Sequence, residues 1–87
     1  MRIWERAPEA LWRRSGDRRI LMGPSTEDVL VVEGTGVPIW DALEQPASEE
    51  DLVAELSESF GVQAEEVRGE VESFLTELRS AGLVASR

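Results

Sequence analysis

Eight serines are the candidate nucleophiles of this 87-residue chain, which contains no cysteine. A serine hydroxyl needs a neighbouring base before it can attack, and the sequence contains neither histidine nor lysine. The lack of histidine and cysteine also removes the commonest zinc ligands. Paired carboxylates could hydrolyse a substrate only in a cleft, which a chain of this size is too small to build. We therefore expect no enzymatic activity, no catalytic residue, no metal site and no cofactor.

The charge of the chain is unevenly distributed along the sequence. Six arginines and three carboxylates give the first nineteen residues a net charge of +3, so with a total of −9 the remaining residues carry −12. An acidic surface repels nucleic acid and anionic lipid and favours basic partners. No apolar run has the length of a signal-peptide core or of a membrane span. We predict a soluble, cytoplasmic protein that binds neither nucleic acid nor membrane.

The stretch DVLVVEG contains four consecutive apolar residues, Val29, Leu30, Val31 and Val32. A strand with one face in water alternates apolar and polar residues, because successive side chains point to opposite faces. This segment does not alternate, so something must cover its second face. It also lacks a proline, a lysine or any charge among these four residues, the features that protect an exposed strand edge from pairing.

Two further strands are predicted before this one, over 10–14 and 18–23. Gly16 fits a two-residue hairpin turn between them, since glycine adopts the positive φ that such turns require. A second turn over 23–27 leads into the strand at 29–32. The simplest arrangement is a three-stranded antiparallel meander in chain order, which places the strand at 29–32 at an edge.

Two amphipathic helices are predicted after this sheet. The first begins with Thr35 as its N-cap and ends at Gln45, because the proline that follows disfavours helix at the residue before it. Ser48 and Asp51 form a capping box at the start of the second helix, and Gly61 ends it. The apolar stripes of the two helices consist of Ile39, Trp40 and Leu43, and of Leu52, Val53, Leu56 and Phe60.

The third and longest helix is predicted over 64–81. At 100° per residue its apolar side chains fall within an arc of about 100°. These side chains are Val67, Val71, Phe74, Leu75 and Leu78. Gly82 is placed to cap the helix, with Leu83 against Leu78 as in a Schellman motif.

This order of elements makes an α+β fold in a single domain over residues 1–87. A three-stranded antiparallel sheet over about 10–33 is followed by three helices over about 35–81, a winged helix-turn-helix-like arrangement. That outline suggests DNA binding as a possible function. The third helix argues against it, because it carries five glutamates and only two arginines where phosphate contacts would be needed. A small acidic chain also suggests an acyl carrier protein. The nearest candidate segments, PSTED and ASEED, lack the Asp-Ser-Leu attachment site of that class.

The helical half of the sequence contains three recognisable blocks. They are TGVPIWDAL at the first helix, DLVAELSESFGV at the second and VESFLTELRSAGLV at the third. In this order and spacing they resemble the PqqD-like family, whose members recognise the leaders of ribosomally made, post-translationally modified peptides. The resemblance runs from Val31 to Val84, about two thirds of the chain.

The resemblance implies a non-catalytic protein that binds a precursor leader peptide and presents it to separate enzymes. The leader would add as an extra strand at the edge formed by 29–32 and would pack on the third helix. Free-standing members of this length resemble two branches: lasso-peptide clusters, with a leader peptidase and a macrolactam synthetase, and pyrroloquinoline quinone synthesis. We favour the lasso branch. The residues expected to contact the leader are Val29, Leu30, Val31, Val32, Val67, Glu70, Val71, Phe74 and Leu75.

The sequence leaves three alternatives open. Instead of a leader, Ile3 and Trp4 could cover the second face of the edge strand. Proline at Val31 and proline at Val32 should have opposite effects, one unfolding the domain and the other only blocking the leader, in an order that depends on register. The margin of the third helix nearest the strand is one of two flanks: Arg68, Glu72 and Arg79, or Glu66, Glu70 and Glu77.

Overall fold

The computed structural model of the chain describes residues 2–23 and 29–87. The elements are β1 (Ile3–Arg6), β2 (Leu11–Ser15), β3 (Arg18–Met22), β4 (Leu30–Val32), α1 (Gly36–Ala42), β5 (Ala47–Ser48), α2 (Glu49–Phe60), α3 (Ala64–Ser80) and β6 (Val84–Ser86). The predicted turn over 23–27 falls almost wholly on residues 24–28, outside the described residues. Strands β2 to β4 and the three helices are the elements that the sequence predicts.

Strands β2, β3 and β4 form the antiparallel meander that the sequence predicts, with β4 at one edge. Gly16 has a φ of +62° and is the first residue of the two-residue loop between β2 and β3. This sheet and the three helices after it confirm the predicted α+β fold class. The pairs that face each other between β3 and β4 are Arg19 and Val32, Ile20 and Val31, and Leu21 and Leu30.

A second antiparallel sheet, in the order β5, β1, β6, joins the two ends of the described chain and was not predicted. Ile3 and Arg87 exchange two backbone hydrogen bonds, with N···O distances of 2.7 and 2.9 Å. Arg87 also forms an ion pair with Glu5 at 3.1 Å. Because β1 pairs with β5 and β6, Ile3 and Trp4 belong to this sheet. The alternative in which they cover β4 is therefore wrong.

The starts of the first two helices differ in how they are capped. Asp51 N–H donates to Ser48 Oγ at 3.1 Å and Ser48 N–H donates to Asp51 Oδ2 at 3.4 Å, which confirms the capping box of α2. Thr35 occupies the N-cap of α1, but its side chain makes no capping hydrogen bond. Helix α1 also ends at Ala42, earlier than the predicted Gln45, because its last turn tightens into i→i+3 hydrogen bonds with N···O distances of 3.1 Å.

Both longer helices are followed by a glycine in the left-handed conformation, Gly61 with φ of +65° and Gly82 with φ of +75°. Leu83 N–H donates to the Leu78 carbonyl at 2.9 Å, which confirms the predicted Schellman motif after α3. Phe60 departs from the prediction, since its side chain is 49% exposed. It is the last residue of α2, and the chain turns away at the next residue, so the apolar stripe runs beyond the packed part of the helix.

The hydrophobic core draws residues from both sheets and all three helices, and Trp40 of α1 is completely buried within it. The guanidinium carbon of Arg6 lies 4.4 Å from the Trp40 ring centroid and 4.8 Å from that of Trp12. Arg6 also donates to the Trp40 carbonyl at 2.6 Å. Arg19, which is buried, donates to both carboxylate oxygens of Asp41 at 3.0 and 2.9 Å. These contacts fix α1 against β1, β2 and β3.

Candidate functional site

The β2–β3 hairpin fixes which backbone groups of β3 point toward β4. Ser15 and Arg18 pair directly across a loop of two residues, and a closing pair of this kind exchanges both of its N–H···O=C hydrogen bonds. The direction of these groups alternates along a strand, so Ile20 bonds toward β2 as Arg18 does. Arg19 and Leu21 therefore direct their N–H and C=O groups toward β4.

The same alternation assigns the backbone groups of β4. Val32 and Leu30 lie opposite Arg19 and Leu21, so both bond to β3. Val31 lies between them and directs its N–H and C=O away from the sheet. The free edge of β4 therefore offers the donor and the acceptor of Val31 to a further strand.

The side chains of β4 divide between the core and the solvent. Val32 is only 3% exposed and Leu30 is half-buried, whereas Val29 and Val31 are 47% and 49% exposed. The second apolar face of this strand is thus open to solvent in the part of the chain that the structure describes.

A groove of about 230 Å³ lies between the edge of β4 and α3. Its walls combine apolar groups with two carboxylates. Glu33 is already paired with Arg18 at 3.1 Å, whereas Glu77 has no ion-pair partner among the described residues. The groove can therefore accept an apolar side chain next to a cation. Its lining residues are Val31, Val32, Glu33, Thr35, Gly36, Phe74 and Glu77.

Gly36 allows β4 and α3 to approach each other at this groove. A Cβ atom on Gly36 would lie 2.8 Å from Val32 Cγ1 and 3.1 Å from Phe74 Cε1. Close packing leaves no room for such an atom unless one of the neighbours moves. The glycine is therefore the member of the Thr-Gly pair that matters at this groove, because it permits the close packing. The Thr35 side chain makes no capping hydrogen bond.

The two flanks of α3 face different neighbours. Arg68 forms an ion pair with Glu50 of α2. Burial raises the pKa of Glu49 in α2 and the negative charge of Glu72 raises it further, so Glu72 also lies beside α2. Since Glu77 lines the groove at β4, the other flank faces the edge strand. Of the two flanks that the sequence left open, the structure selects Glu66, Glu70 and Glu77.

The predicted contact residues are not equally accessible. Val67, Val71 and Leu75 of α3 are at most 6% exposed and belong to the core. A ligand on the surface of this structure would reach Phe74, which is half-buried, and Glu70, which is exposed one turn earlier. Contacts with the three buried residues stay a prediction and would require α3 to shift. The sequence did not predict Glu33, Thr35 and Gly36 as groove residues, although the Thr-Gly pair was a usable signal, and it named Glu77 only within one of two alternative flanks.

The described residues were also compared with the requirements of a metal site and of a membrane span. They contain no group of three or more carboxylates positioned to hold a metal ion. None of their helices combines the length and the apolar character needed to cross a membrane.

Comparison with known proteins agrees with the fold. A family model described as coenzyme PQQ synthesis protein D (PqqD) matches residues 18–84, from β3 to the start of β6. The solved structure of TbiB1 in complex with the TbiA(beta) leader peptide has a TM-score of 0.82, covers 92% of this chain and 93% of that chain, and is 20% identical. At that identity the likeness establishes a shared fold. A search of curated proteins found no significant match.

Proposed function

This chain belongs to the PqqD family, and on that premise we propose that it binds the leader of a ribosomally made precursor peptide and presents it to separate enzymes. The observation that carries the proposal is the free edge of β4, where Val31 directs its backbone groups outward beside an apolar groove. The fold shared with TbiB1, which was solved with a leader peptide bound, supports it. The protein itself performs no chemistry on the leader.

In the proposed complex the leader extends the β2–β3–β4 sheet by one strand. The N–H and C=O of Val31 bond to the leader backbone, which sets the register and does not depend on the leader sequence. Alternate leader side chains point to opposite faces of the sheet. One set enters the groove beside Phe74 and Glu77 and supplies the selectivity, while the other set lies next to the Val31 side chain.

The enzymes that receive the leader belong, in this proposal, to lasso-peptide maturation: a leader peptidase and a macrolactam synthetase. A second candidate is a peptide chaperone in pyrroloquinoline quinone synthesis, which the description of the matching family model favours. Titration with one leader of each class separates the two, because the cognate leader should bind more tightly. A DNA-binding regulator remains disfavoured by the acidic surface of α3.

The Phe74→Ala variant tests the groove. Removing this half-buried ring should weaken binding of a synthetic leader about tenfold, because aromatic side chains in a desolvated pocket dominate peptide interfaces. Phe60→Ala is the matched control, since Phe60 is 49% exposed and lies at the end of α2. Calorimetric titration measures both affinities, and mass spectrometry should find the leader unchanged. Equal affinities of the two variants would remove the groove from the binding site.

The acidic flank of α3 should accelerate the binding of leaders that carry arginine or lysine. The association rate should fall several-fold between about 50 mM and about 500 mM salt, because salt screens the attraction that steers encounter. Glu77→Gln should reduce this salt dependence, whereas Glu72→Gln on the flank that faces α2 should not. Stopped-flow fluorescence measures the rates. An association rate that does not respond to salt would mean that apolar contacts and backbone pairing control binding.

A further inference from the structure

The β2–β3–β4 sheet has an apolar face that points away from the core, here named the outer face and defined by Leu11, Ile20, Met22, Val29 and Val31. Its residues follow from the register, because Leu21 and Val32 enter the core and their strand neighbours must point the other way. Leu11 is 67% exposed and Met22 is 41% exposed. A shallow cavity of about 180 Å³ lies on this face, lined by Leu11, Trp12, Arg13, Ile20 and Met22.

No other element of the described chain covers the outer face. The three helices share the core with Leu21 and Val32, on the opposite side of the sheet. Strand β1 pairs with β5 and β6 in the other sheet. An exposed apolar patch of this kind on a small protein marks a surface that meets a partner.

The charges beside the outer face indicate the chemistry of that partner. Arg13 lines the cavity and, opposite Ile20, points to the outer face, and it has no ion pair among residues 2–23 and 29–87. The chain nevertheless holds 18 carboxylates against 9 arginines. A matching surface therefore presents apolar side chains together with carboxylates.

Two occupants fit this surface poorly. A second copy docked face to face would bring Arg13 of both copies into one interface, and each copy carries a net charge of −9. The leader of the proposed function occupies the edge of β4 and the groove beside Phe74, and a basic leader would be repelled by Arg13. The outer face nonetheless adjoins the leader site, because Val31 belongs both to the free edge of β4 and to the outer face.

We propose that the outer face docks an apolar, carboxylate-bearing segment of the enzyme that processes the leader. This inference rests on the proposed function for the identity of the partner. The enzyme then contacts one continuous surface, formed by the sheet and by the leader strand beside Val31. Recognition of that joint surface would give the leader-loaded protein a higher affinity for the enzyme than the free protein has.

The test uses Leu11→Glu and Arg13→Glu, with Phe60→Glu as a matched control on an exposed apolar residue outside the face. The probe is a purified leader peptidase, the processing enzyme named in the proposed function, and its affinity is measured with and without synthetic leader. Both outer-face variants should weaken enzyme binding about tenfold or more. The control should bind as the unaltered protein does, and leader affinity should stay within about twofold for all three.

Three other results would overturn the inference. Unchanged enzyme binding by both outer-face variants would exclude the face as the docking site. Loss of leader affinity in Leu11→Glu would assign the face to the leader, and a dimer that only Leu11→Glu dissociates would assign it to a second copy. Failure of the unaltered protein to bind leader would refute only the proposed function. Enzyme binding measured without leader would still decide whether the outer face is used.

Discussion

Val32→Pro should unfold the domain readily, whereas Val31→Pro should leave it folded but unable to bind a leader peptide. Val32 donates its N–H to β3 and buries its side chain, so proline leaves a carbonyl of β3 without its donor and disturbs the core, at a cost of about 3 kcal/mol. Val31 directs its N–H outward, where proline is tolerated at a sheet edge. The ring removes the donor that the leader needs and occupies its path.

Circular dichroism during heating, together with leader titration, checks both halves of this expectation. Val31→Ala is the control, because it keeps the N–H and shortens only an exposed side chain. It should bind the leader nearly as well as the unaltered protein. A folded Val31→Pro protein with unchanged leader affinity would exclude strand addition at this edge.

Trp40→Ala should cost about 4 kcal/mol of unfolding free energy, because it leaves a large cavity at a completely buried position. It also removes the ring against which Arg6 packs at 4.4 Å. A chain of this length has a total stability of about 4–13 kcal/mol, so this loss amounts to between about a third and all of the stability of the domain.

Trp12→Ala is the matched comparison for this variant. The ring centroids of Trp12 and Trp40 lie 5.9 Å apart in a T-shaped arrangement, and Arg6 stacks on the Trp12 ring, but Trp12 is 41% exposed. Its loss should cost about 1–2 kcal/mol, since less area returns to water and no closed cavity forms. Urea unfolding measures both values. Equal losses for the two tryptophans would contradict the central position assigned to Trp40.

Three features that depend on residues close together in the chain were predicted correctly from the sequence. The hairpin at Gly16, the capping box of Ser48 and Asp51, and the Schellman motif at Gly82 each involve residues within a few positions of one another. The amphipathic period also identified α2 and α3, and the three sequence blocks indicated the family. Local geometry carries these signals, so a single sequence contains them.

The sheet formed by β5, β1 and β6 could not be predicted in this way. Strand β5 has two residues and β6 has three, which is too short for an alternating pattern to be visible. Ile3 pairs with Arg87 across almost the whole chain. Such pairing depends on where α2 and α3 place the two ends, and that is a property of the folded molecule.

The features of the candidate site divide in the same way, into those that the sequence shows and those that depend on tertiary contacts. The sequence by itself identified an unprotected apolar strand, an acidic third helix and a composition without catalytic groups. Only the tertiary structure decided that Val31 faces outward and that the Glu77 flank borders β4. The outward direction of Val31 depends on the strand register, which the β2–β3 hairpin sets. The position of Glu77 depends on the rotation of α3, which is fixed by the ion pair of Arg68 with α2 and by the close packing of Gly36 against Val32 and Phe74. These contacts join residues far apart in sequence, so neither periodicity nor composition could reveal them.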